Sequence, residues 1–154
     1  MVYVFTDRIW ERTSSHFLEW QMKEIRMAKT KNLSAEAIVD IATQSALDMK
    51  GLDVVVIDIQ GRSSYADFLV IASGTSDRHV VSIAENIQHT MKNDHGHVAK
   101  GIEGTREGKW VLLDLGDVIV HVFHQFTREE YNLEEIWKEA PQRVVSDEPH
   151  AQAN

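Results

Sequence analysis

The segment LDVVVIDIQGRSSYADFLVIASGTSDRHVVSIAENI, Leu52 to Ile87, holds two apolar runs followed by one amphipathic stretch. Asp53 to Ile59 is rich in β-branched residues, GRSS supplies a turn, and Ala66 to Ala72 is a second run, so two neighbouring strands are expected. At GTSDR the period changes. With Ser76 or Thr75 as cap, Val80, Ile83, Ala84, Ile87 and Met91 fall on one stripe of a helix that His95 and Gly96 end. Strand period giving way to helical period within one short span predicts a sheet with helices packed against it.

The flanking segments extend this pattern. Upstream, Ser34 is a good N-cap, and Ile38, Ile41, Ala42, Ala46 and Met49 keep helical spacing until Gly51, which is expected to stop the helix. Downstream, a short extended piece around Val98 to Glu103 leads to the turn TREGK. Trp110 to Leu113 and Val118 to Phe123 then flank DLGD, which reads as a β-hairpin with Gly116 at a positive φ. TREEYNLEEIWKEA is expected to be helical in two pieces interrupted near Asn132. The order α, β, β, α, β, β, α describes an α/β domain, a single sheet flanked by helices, over residues 32–140. Residues 1–31 keep no sustained period and read as a poorly ordered or short helical extension. Met27 opens MAKTKNLSAEAIVD, itself a plausible chain start, so residues 1–26 can be read as a start-site assignment rather than part of the working protein. The tail QRVVSDEPHAQAN, within residues 141–154, lacks apolar periodicity and reads as disordered.

A chain of 154 residues with 43% hydrophobic content can bury one ordinary core. The longest apolar runs, Val54 to Ile57 and Phe68 to Ala72, fall far short of the roughly 20 residues of a membrane span, so a soluble protein without a membrane partner is expected. Cys is absent and no secretory leader pattern opens the sequence, which makes the cytoplasm the default. Charge is unevenly spread: residues 32–140 hold 9 Lys+Arg against 18 Asp+Glu, whereas residues 1–31 carry +2 and residues 141–154 carry −1. An acidic core repels phosphate backbones, so direct sequence-specific nucleic-acid binding is not expected, and a basic protein is the natural complement.

Three constellations could carry chemistry. The loop GTSDRH, Gly74 to His79, ends a strand and begins a helix, where free N–H groups can bind an anion. It lacks a P-loop Lys and the three spaced glycines of a dinucleotide fingerprint, and any strand-to-helix connection wants such a turn and cap. Of the histidines, His121 and His124 would face opposite sides of a strand, while His89, His95 and His97 lie near a polar loop without Cys; no metal set is expected. Asp114, Asp117 and His121 lie in WVLLDLGDVIVHVF, but Asp is favoured beside tight turns, and no Ser, Thr or Lys nucleophile stands between Lys109 and Thr127. Trp110, with Tyr131 and Trp137 further on and acids around them, has the composition of a protein-binding hot spot; a core with a solvated turn is the other reading.

Four motifs taken together, LDVVVIDIQGRSSYADFLVIASGTSDRHVVSIAENI, GIEG, WVLLDLGDVIVHVF and REEYNLEEIW, resemble the ribosomal silencing factor (Iojap-related) family over roughly residues 34–138. The resemblance implies a translation repressor, acting in nutrient limitation, that binds the large ribosomal subunit through ribosomal protein uL-fourteen and sterically blocks joining of the small subunit. It implies no enzyme and no cofactor. The fold it implies is nucleotidyltransferase-like without the catalytic carboxylate pair, since the chain contains no D-x-D. Carried over by motif, the docking surface falls on Trp110 as aromatic anchor, on Leu112, Asp114, Leu115 and Asp117 along the same edge or its turn, and on Tyr131 beside them. A homodimer off the ribosome is compatible with the resemblance, and the sequence leaves it open. The alternative is a divergent nucleotide-binding or nucleotidyltransferase enzyme using Gly74 to His79, with Asp58, Asp67 or Asp114 as metal ligands.

Overall fold

The computed structural model describes residues 18–23 and 33–146. The chain divides into two units, Met1–Asn32 and Leu33–Asn154. In the first, residues 18–23 are helical; the rest of the expected extension lies outside the described residues. In the second, the element order is α1 (Ala35–Asp48), β1 (Leu52–Asp58), β2 (Phe68–Gly74), α2 (Asp77–His95), β3 (Gly101–Glu103), β4 (Trp110–Asp114), β5 (Val118–His124), α3 (Gln125–Tyr131), α4 (Leu133–Ile136) and β6 (Gln142–Val145).

All six strands form one mixed sheet in the order β3-β4-β5-β2-β1-β6. The β2–β5 pair at its centre is parallel and the other pairs are antiparallel. Every residue of β2 is buried, which is why Phe68 to Ala72 reads as an unbroken apolar run rather than an alternating one. Ser34 caps α1, accepting the Ala37 N–H, and Ser76 caps α2, accepting the His79 N–H. The buried residues of α2 are Val80, Ile83, Ala84, Ile87 and Met91, the stripe expected from the sequence.

The two sheet faces differ. Both long helices cover one face: Ile38, Ala42 and Ala46 of α1 and Ile83, Ile87 and Met91 of α2 join Val56, Val70, Leu113, Val120 and Val122 of the sheet in the main core. On the other face Ile57, Leu69, Ile71, Ile119 and Phe123 form a smaller cluster, with Leu133, Trp137 and Ala140 from the chain after β5 packed on it. Among the described residues of this unit that face carries only the short helices α3 and α4, and Trp110, Leu112 and Asp114 on it are partly exposed.

Two local expectations are corrected, and the extended piece expected before the TREGK turn proves to be a paired strand. Lys50, at φ +61°, ends α1 in the left-handed conformation, and Gly51 is instead needed for space, because a Cβ there would stand 2.8 Å from the Ala46 carbonyl oxygen. Gly101 to Glu103 pairs with β4 as a strand. Within the tail expected to be disordered, Gln142 to Val145 forms β6 against Val54 to Ile57. The Pro141 carbonyl accepts the Asp58 N–H at 2.9 Å, and the Gln142 amide donates to the Glu134 and Trp137 carbonyls. An edge strand has one neighbour and exposes most side chains, so β6 carries no alternation to read.

Candidate functional site

Strand β4 alternates cleanly. Val111 and Leu113 are fully buried against the helices, while Trp110, Leu112 and Asp114 are partly exposed on the opposite face. Register places Phe123 opposite Trp110, His121 opposite Leu112 and Ile119 opposite Asp114. The turn at 115–117 is made by Gly116 at φ +96° and by the Asp114 carboxylate, which accepts the Gly116 N–H at 2.9 Å.

An aromatic cluster stands on this face. The Trp110 ring lies 5.0 Å from Phe123, nearly parallel to it, and 4.7 Å from Tyr131 at the end of α3. Phe123 is buried at 1%, so it forms the floor; Tyr131 is 51% exposed and Trp110 stands between them. The Trp110 indole N–H donates to His121 Nδ1 at 3.0 Å. Burial pushes the His121 imidazole down from 6.5 to about 4, so it is neutral at physiological pH with its proton on Nε2.

Of the six residues expected on the docking edge, Trp110, Leu112, Asp114 and Tyr131 gather on or beside this face, and Asp117 is exposed at the turn. The Asp117 carbonyl accepts the N–H groups of Asp67 and Phe68, at 2.7 and 3.2 Å, so its backbone is structural while its carboxylate faces solvent. Leu115 departs from expectation. It is 1% exposed and belongs to the core under the helices, on the same strand parity as Val111 and Leu113. His97 braces it, donating to the Leu115 carbonyl at 2.7 Å.

The Gly74 to His79 loop is internally bonded. Thr75 N–H donates to His79 Nδ1 at 3.0 Å, which leaves His79 Nε2–H to donate to the Met49 carbonyl at 2.7 Å. Ser76 Oγ accepts the His79 N–H, and Asp77 pairs with Lys109 at 3.2 Å. A ring that ties the loop to the end of α1 is the use found for this histidine. Asp58 accepts the Gln60 N–H in its own turn. Among the described residues no three of His, Cys, Asp and Glu converge as a metal site would require. No helix of the described residues is long and apolar enough to cross a membrane.

Sequence reasoning passed over Arg128. Its guanidinium donates to Glu134 Oε1 (2.8 Å from Nε, 2.6 Å from one terminal nitrogen), to the Asp53 carbonyl at 2.7 Å and to Ser73 Oγ at 2.8 Å. It closes one side of a cleft of about 540 Å³ that Asp53, Phe126 and Glu129 also line. Nothing in the REEY motif distinguishes this arginine from a solvated one, because two of its three partners lie 55 and 75 residues away.

Residues 32–154 match the family model described as "Ribosomal silencing factor during starvation". The chain is 40% identical over 109 residues to the ribosomal silencing factor of Bacillus subtilis, covering 71% of this chain and 92% of that one. With the ribosomal silencing factor of Zymomonas mobilis it shares 42% over 102 residues, 66% of this chain and 76% of the relative. A crystal structure of a Chromobacterium violaceum protein superposes with a TM-score of 0.68 at 31% identity, covering 78% of this chain and 98% of that one.

Proposed function

The chain belongs to the ribosomal silencing factor family, and from that premise we propose that it binds the large ribosomal subunit through ribosomal protein uL-fourteen and blocks joining of the small subunit. It does so in the cytoplasm, by occupying space rather than by catalysis. The observation that carries this reading is the aromatic face on the side of the sheet away from the long helices: Trp110 and Tyr131 over the buried Phe123, with Leu112, Asp114 and the exposed Asp117 beside them. A rigid aromatic pair on an apolar floor is the kind of centre that holds most of the energy in a protein interface. Acids at its edge favour a basic partner and accelerate the encounter. The docking set is therefore Trp110, Leu112, Asp114, Asp117 and Tyr131, and Leu115 belongs to the core instead.

The test is co-sedimentation of the full chain with separated ribosomal subunits, beside Trp110→Ala. Migration with the large subunit alone, weakened by about 2 kcal/mol or more in a folded variant and accompanied by fewer joined ribosomes, is the expected result. Wild-type protein that stays at the top of the gradient with both subunits would remove the proposal.

A further inference from the structure

Strand β5 reads Val-Ile-Val-His-Val-Phe-His, and within its buried part His121 is the one polar side chain, 8% exposed. A Phe or Leu would satisfy the same pocket at less desolvation cost, so the imidazole calls for a reason. Its ring lies parallel to Phe123 at 6.0 Å and tilted to Trp110 at 5.8 Å, diagonal to Trp110 across the β4–β5 ladder. Trp110 has a single polar atom, a donor, and His121 Nδ1 is its acceptor at 3.0 Å. The neutral state imposed by burial keeps that lone pair available throughout the physiological range.

We infer that His121 is a positioning residue for docking: by accepting the Trp110 indole N–H it fixes the rotamer of the anchor and so selects which surface of the indole the partner meets. This rests on the reading of Trp110 as the anchor. A partly exposed Trp can otherwise turn about two side-chain bonds, and ordering it at binding would weaken the complex. The hydrogen bond sets the orientation before the partner arrives. It also uses the one polar group of the indole, so the partner meets ring surface only and gains no hydrogen bond from Trp110. Specificity at the centre of the face is then set by shape and by contact with the π face, with the carboxylates of Asp114 and Asp117 left to handle charge.

The experiment is a double-mutant cycle on affinity for the large subunit, using wild type, His121→Phe, Trp110→Phe and the double variant, joined to nuclear magnetic resonance of the indole N–H groups. His121→Phe keeps the ring and removes the acceptor. The expected result is a folded protein whose Trp110 indole resonance moves and exchanges faster with solvent, and whose affinity falls roughly five- to tenfold, the usual worth of one such bond. In the Trp110→Phe background the same change at position 121 is expected to cost nothing further. Additive losses, or a shifted indole with unchanged affinity, would overturn the inference and reduce His121 to packing. Full affinity in Trp110→Phe and in Trp110→Ala would sink the docking reading itself, an outcome visible without any change at position 121. If His121→Phe does not fold, His121→Leu is read in the same way.

Discussion

Arg128 of α3 donates to the main-chain carbonyl of Asp53, 75 residues earlier, at 2.7 Å. Asp53 sits at φ +47°, where the β1–β2 register shifts between Leu52 and Val55. A bulge leaves a carbonyl turned out of the ladder, and an unpaired one would be costly. One guanidinium, 12% exposed, therefore joins this bulge, Ser73 at the end of β2 and Glu134 at the start of α4. The short helices that carry Tyr131 are held to the sheet by this clamp.

Replacing Arg128 with Met is expected to destabilise the domain by about 3 kcal/mol, since it strands Glu134 and the Asp53 carbonyl together. Arg128→Lys retains the charge but cannot reach all three acceptors, and is expected to lose about half as much. Urea unfolding of both variants, with Glu134→Gln completing a cycle, measures the coupling. Additive effects would show that the two side chains are independent.

Leu115 and Tyr131 should separate stability from binding. Leu115→Ala removes a side chain exposed at 1% and is expected to cost about 3 kcal/mol of stability while leaving the affinity of the folded fraction unchanged. Tyr131→Ala trims a residue that is half exposed, so its stability loss should be small and its affinity loss above about 1 kcal/mol. Thermal unfolding and gradient binding on the same samples check both; the reverse pattern would mean that the docking face is drawn on the wrong side of the turn.

Asp117→Lys changes an exposed carboxylate while the carbonyl that holds Asp67 and Phe68 is unaffected. Folding should be unchanged. Association with the large subunit is expected to slow by roughly three- to tenfold at low salt, and the rate to depend less on ionic strength. Stopped-flow mixing at two salt concentrations reads both quantities. An unaltered rate would place the turn outside the encounter region.

Acid should weaken the fold through His121. Its imidazole titrates near 6.5 when unfolded and at about 4 when buried, so between those values the unfolded chain binds the extra proton. The contribution is fully present above pH 6.5 and is lost as pH falls toward 4, about 3 kcal/mol over the window. His121→Phe cannot titrate and should lack this component. The difference between wild type and variant in urea unfolding at pH 7.5 and pH 4.5 isolates it, because the carboxylates are common to both. Parallel stability curves would contradict the buried, neutral imidazole.

The sequence made most of this architecture legible. The helix stripes of α1 and α2, the split at Asn132 and the 110–123 hairpin are all local patterns of burial, caps and turn chemistry, and each stands where its residues place it. Elements that depend on distant partners were illegible. Strand β6 is defined by Val54 to Ile57 rather than by its own exposed residues, and the Arg128 clamp by a bulge 75 residues away. On β4, strand alternation puts Trp110, Leu112 and Asp114 on one face and carries Leu115 to the other with Val111 and Leu113; the motif resemblance that set Leu115 on the docking edge ran against that parity.

The first strand of the sheet pairs with the last, Val54 opposite Val145, and the central parallel pair joins Phe68 to Val118. Synthesis runs from one end to the other, so α1 and the β1–β2 pair emerge long before their remaining neighbours. Until then the outer edge of β1 is an open ladder of valines, able to recruit a strand from another copy. The domain is thus complete only when the residues of β6 are free of the machinery making them. A nascent chain stalled at Ala140 would hold every residue of the proposed docking face and still leave the outer edge of β1 unpaired.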